Sequence, residues 1–92
     1  MEAAVVINNA TTEEILDAIH TIIRKVDVSK HYITVCVNTA LLFKGVVNFE
    51  WGKDVKHIEH LCILGKIGEM RIYIDPYLSR SPNTCKINVK EY

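Results

Sequence analysis

Apolar residues along this chain recur with two different periods, and the change from one to the other marks out its elements. Ile15, Ile19, Ile22 and Val26 fall at helical spacing, and Leu16 and Ile23 widen the stripe. Thr11 stands three residues before Glu14, the spacing of a capping box, in which each side chain satisfies an orphan N–H of the other residue. Glu13 and Glu14 sit at the positive end of the helix dipole, and Arg24 and Lys25 at the negative end. These signals predict a helix over about 12–26. Ahead of it, AAVVI at 3–7 reads as a strand or extended arm, ended by Asn8 and Asn9.

Period two takes over in HYITVCV, residues 31–37, where Ile33, Val35 and Val37 share one face and Tyr32, Thr34 and Cys36 the other. Both faces are largely uncharged, as in an interior strand with a helix packed on it. A short helical turn follows through ALLF, capped by Asn38 or Thr39 and ended by Gly45. Val46 to Trp51 reads as a strand or an irregular segment with apolar anchors, and Gly52 to Lys56 as an exposed connection. From Cys62 to Tyr92 the pattern is strand, glycine-rich turn, strand, polar loop, strand. Met70, Ile72 and Ile74 alternate with Arg71, Tyr73 and Asp75 before Pro76 stops the ladder; Cys85, Ile87 and Val89 then alternate with Lys86, Asn88 and Lys90. Helix and strands mix without regular βαβ alternation. The class expected is α+β, one domain over 1–92 with the main helix on a small, mostly antiparallel sheet.

Composition bounds what such a domain does. Ninety-two residues, 49% hydrophobic and 24% charged, suit one small globular core. Eleven basic and eleven acidic residues cancel, which argues against nucleic acid as the main partner, because phosphate binding needs a surplus of Lys and Arg. Three cysteines without regular spacing do not make a disulfide framework and read as free thiols in a reducing compartment. No secretory leader or membrane-spanning run is visible, so synthesis in the cytoplasm and no membrane contact are expected.

Candidate chemistry is sparse. His57, Glu59, His60 and Cys62 form the densest set of possible metal ligands, but structural zinc needs four in tetrahedral array and a second close pair is missing. A Cys–His nucleophile needs an exposed, electropositive thiol, whereas Cys36 and Cys85 fall in strand patterns. Gly65 and Gly68 precede a strand rather than a helix, so they read as a turn and not a phosphate loop. Arg71, Tyr73 and Tyr77 suggest a stacking platform for single strands only against the neutral charge balance. Neither an enzyme nor a cofactor is expected.

Four pieces in order resemble one part of the major capsid proteins of tailed bacteriophages. That family runs a helix, an N-F-I-V-V-S type strand, a short helix, then a V-G-x-L-G-G-x-x-x-V-Y-V-D-P-Y type stretch and a final strand. The counterparts here are EEILDAIHTIIRKV, HYITVCVNTALLF, LGKIGEMRIYIDPYL and TCKINVKEY. Glu69 stands where the family often has a second glycine, and Asn88 to Tyr92 replaces its G-Y-K-G ending. The match covers the axial-domain part of proteins several times longer. It implies a virion structural or capsid-assembly protein that works by contact with itself or with capsid subunits, Tyr73, Asp75, Pro76 and Tyr77 lying near the contact surface. The other expectation is a small regulatory or ligand-binding module that meets a host protein.

Overall fold

Thr11 starts the main helix as the spacing predicts. Its hydroxyl accepts from the Glu14 N–H at 3.2 Å while the Glu14 carboxylate accepts from the Thr11 N–H at 3.0 Å. The computed structural model describes residues 3–46, 49–52, 58, 60–78 and 83–92. Helix α1 spans Thr12–Lys25 and ends on Val26, whose N–H donates to the Ile22 carbonyl at 3.2 Å. Asp27 then closes the turn into the sheet: its carboxylate accepts from the Ser29 N–H and hydroxyl at 3.0 and 2.6 Å. Those two bonds hold the Asp27 carboxyl below its ordinary pKa.

Six strands make one sheet: β1 Ala3–Asn8, β2 His31–Val35, β3 Glu50–Trp51, β4 Cys62–Ile67, β5 Met70–Ile74 and β6 Thr84–Glu91, in the order β1-β6-β2-β5-β4-β3. Every neighbouring pair is antiparallel except β2 and β5, which run parallel with Ile33 beside Ile72 and Val35 beside Ile74. The architecture is α+β with a mostly antiparallel sheet, as expected. AAVVI pairs within the chain, with β6.

One face of the sheet carries the core. Ile15, Ile19 and Ile22 of α1 pack with Ile33 and Val35 of β2, Met70 and Ile72 of β5, and Ile87 and Val89 of β6. Each is buried, and burying one such side chain is worth about 1.5–3 kcal/mol. Phe43 and Phe49 extend that core toward β4, with ring centroids 4.8 Å apart.

Two local features depart from the sequence reading. Strand β2 stops at Val35: Cys36 is the N-cap of helix α2, Val37–Leu41, which runs on into a 3₁₀ turn at Leu42–Gly45. Val37 is therefore exposed instead of sharing the inner face with Ile33 and Val35. The reason lies in Thr39, whose hydroxyl donates to the Lys86 carbonyl at 3.1 Å and draws the chain over β6 after one strand's length. The two glycines also separate. Gly68 opens the two-residue β4–β5 turn with φ +57°, the position a type II′ hairpin reserves for glycine. Gly65 lies inside β4 at a bulge, where the register shifts between Ile63 and Gly65. A Cβ there would stand 2.2 Å from the Glu50 carbonyl oxygen and 2.8 Å from the Phe49 ring. It is the close approach of β3, not a turn, that requires glycine at 65.

Candidate interaction surface

The D-P-Y stretch after β5 is a turn built by its own side chain. The Leu78 N–H donates to the Asp75 carbonyl at 3.1 Å, and the Tyr77 N–H donates to the Asp75 carboxylate at 3.0 Å. Pro76 takes the second position of this turn, for which its fixed φ is pre-set. The Asp75 N–H donates to the Val35 carbonyl at 2.9 Å and so ties the turn to the end of β2. Held this way, Tyr77 is 74% exposed, Pro76 is exposed and Asp75 is half-buried. Tyr73, the fourth residue of the set, stands apart from them: it is wholly buried within the sheet.

Other exposed apolar groups lie at the same end of the sheet, where β2 and β5 finish and β4 and β6 begin. Val37 and Leu41 of α2 are exposed, and Ile63 of β4 is exposed beside Tyr73 in the register. Next to Leu41 a shallow cavity of about 280 Å³ is lined by Asn9, Asn38 and Asn83 together with Leu42 and Cys85. Asn38 is anchored there, its amide donating to the Thr84 carbonyl at 3.2 Å. Amide groups around an apolar floor can meet both the main chain and the side chains of another polypeptide. No part of this arrangement needs a titrating group.

Opposite α1, the sheet face is polar and aromatic. Tyr32 meets Tyr73 edge-on at 5.4 Å and Tyr92 at 5.0 Å. Arg71 donates to the Tyr92 hydroxyl at 3.0 Å and lies 5.7 Å from that ring's centroid. Burial and the neighbouring Tyr92 push the Tyr73 hydroxyl up to about 12. Alternation in β6 puts Lys86 and Lys90 on this face with Asn88 between them. Thr34, central among these residues, has a buried hydroxyl without a hydrogen-bond partner.

Those described residues that were considered for metal or thiol chemistry do not converge. His57 and Glu59 lie outside the described residues; His60 is exposed with φ +59°, and Cys62 is exposed on β4. Among the described residues no three His, Cys, Asp or Glu side chains come together. Cys36 is the chemically unusual thiol. Burial raises its pKa, but the Thr39 hydroxyl and the Lys86, Thr39 and Asn38 backbone outweigh it and leave the group below its ordinary value. Its Sγ lies 3.2 Å from the Thr39 hydroxyl and accepts from the Lys86 N–H at 3.3 Å. Those contacts enclose it completely, so they serve the β2–α2 junction. Strand periodicity concealed this role, although Thr39 at the third position after Cys36 is the spacing that allows it.

No helix of the described residues is long and apolar enough to cross a membrane. No family model matches the chain, and neither a curated protein nor a solved structure was found to match it.

Proposed function

We propose that this chain is a non-catalytic assembly module that works by protein–protein contact, of the virion-shell kind implied by its resemblance to capsid axial domains. The observation that carries the reading is the group of exposed apolar side chains at one end of the sheet: Val37, Leu41, Ile63 and Tyr77. Single exposed apolar residues are ordinary on any protein. Several at one end of a sheet, with Leu41 also lining a cavity rimmed by asparagine amides, are what a partner surface needs. Further support comes from how the resembling pieces assemble. They supply α1, β2, α2, β4, β5 and β6, and the four strands among them are contiguous in the sheet.

In this reading Tyr77 is an anchor, because the Asp75 turn holds its backbone while its ring stays in water. Pro76 lowers the ordering cost of presenting that ring. Leu41 and Val37 supply the neighbouring apolar area, and the occupant expected is a capsid subunit. Co-sedimentation with assembled phage shells, and capture of their free subunits, test it. Tyr77→Ala combined with Leu41→Asp should abolish co-sedimentation and leave the circular dichroism spectrum unchanged. A wild-type chain that binds neither shells nor subunits overturns the reading.

A further inference from the structure

Strand β1 is the outermost strand beside β6, and its backbone presents a second, self-complementary edge. The Asn9 N–H donates to the Asn83 carbonyl at 2.8 Å, which makes that opposed pair a hydrogen-bonded one. In an antiparallel ladder such pairs recur every second residue, so Ala3, Val5 and Ile7 direct their N–H and C=O groups at β6. The register on the other side of β6 agrees: the Cys36 N–H donates to the Lys86 carbonyl, so even-numbered positions of β6 face β2 and odd-numbered ones face β1. Ala4, Val6 and Asn8 are left pointing their N–H and C=O groups away from the sheet.

Among the described residues this edge carries none of the usual devices against pairing. AAVVIN has six residues, with no charge, no proline and a register to β6 without a shift. Val6 is 56% exposed, and Val5 and Ile7 are half-buried against the core.

We propose that β1 pairs antiparallel with β1 of a second copy, about a two-fold axis through Val6, so that one sheet runs through both molecules. The proposal rests on the contact reading above and names a second partner surface, at a different edge. Four points favour a second copy as the occupant. An antiparallel strand is its own complement about a two-fold, so the same patch serves on both sides. Centring the axis on Val6 uses every outward group at once, Ala4 opposite Asn8 of the second copy and Val6 opposite Val6. On the core side, that register sets Val5 opposite Ile7 of the second copy, so the half-buried ends of two cores close over each other. An uncharged edge on a chain of zero net charge also has nothing to repel its like.

One strand pair is a small interface, so dimerisation should depend on concentration over about 1–500 µM. Sedimentation velocity across that range, with reductant present because Cys62 is exposed, reads it directly. Val6→Pro is the decisive variant: the Val6 N–H makes no bond to β6, so proline removes the central intermolecular donor and no intramolecular one. It should keep the monomer's circular dichroism and lose the dimer. Amide exchange should show Ala4, Val6 and Asn8 gaining protection as concentration rises, with Val5 and Ile7 protected throughout. A wild-type chain monomeric across the range, or a Val6→Pro chain that still dimerises, overturns the β1 pairing. The same Val6→Pro chain should still bind capsid subunits through Leu41 and Tyr77, which take no part in the β1 pairing. A dimer that Val6→Pro breaks, in a chain that binds no subunit, upholds the pairing and overturns the contact reading.

Discussion

At one edge of this sheet β3 contributes two residues, and the Lys66 ammonium lies 3.6 Å from the Glu50 carboxylate across the β3–β4 pair. Phe49 and Trp51 stack edge to face at 4.7 Å, and β4 is bulged at the same point. At the other edge, β1 is three times as long, regular in register and wholly uncharged. The first edge is short, bent and charged, which are the means by which sheets avoid pairing with their like; the second has none of them. The difference teaches that the two ends of one sheet have different uses. The β3 edge closes the core, and the β1 edge is available for continuation.

The largest expected effect comes from breaking the closed edge. Gly65→Ala drives a methyl group into the Glu50 carbonyl and the Phe49 ring, on a backbone L side chains rarely adopt. It should cost about 3 kcal/mol or more, read from the shift in urea midpoint. The open edge is sharpened by two prolines one residue apart. Val5→Pro removes a bond to β6 and should cost about 3 kcal/mol, whereas Val6→Pro should cost less than about 1 kcal/mol. Equal losses at the two positions would mean that the outward alternation is misassigned.

A third test addresses the strands between the edges. Burial and Tyr92 raise the Tyr73 pKa in the folded state from an ordinary value near 10 to about 12. A folded pKa raised above the unfolded one gives stability that is complete below the unfolded value. Stability should therefore hold up to about pH 10 and fall between about pH 10 and 12, and Tyr73→Phe should remove that part of the fall. Thermal midpoints along an alkaline series check it. The smallest effect belongs to the ion pair. Glu50→Gln should change stability by no more than about 0.5 kcal/mol, since Glu50 is largely exposed and the pair is open to screening. Its loss would matter for association instead, by leaving the β3 edge less guarded.

How much of this was legible in the sequence depends on the range of the interaction involved. The helix was, because capping and a 3.6-residue stripe are local, and Thr11, Glu14, Ile15, Ile19 and Ile22 all take the roles their spacing implies. So was the alternation of β5 and β6. The end of β2 was not. Thr39 reaches a carbonyl on β6, a contact between residues remote in sequence, and this turns Cys36 from a strand residue into a cap. Gly65 looked like turn punctuation beside Gly68, since the approach of Phe49 and Glu50 that demands it leaves no periodic trace. The parallel pairing of β2 with β5 was equally hidden, because period two says which face a residue takes and nothing about its neighbour strand. At the candidate surface, the exposure of Tyr77 followed from the Asp-Pro turn, while the burial of Tyr73 depended on the rings of Tyr32 and Tyr92 beside it.

The position of β6 has a consequence for how this chain comes into being. It lies between β1 and β2 and follows every other strand in the order of synthesis. Until it emerges from the ribosome, β1 lacks the strand it pairs with among the described residues, and α1 has only part of its seat. The nascent chain therefore passes through a stage in which β1 offers both its edges, and the arrival of β6 joins β1 to the rest of the sheet.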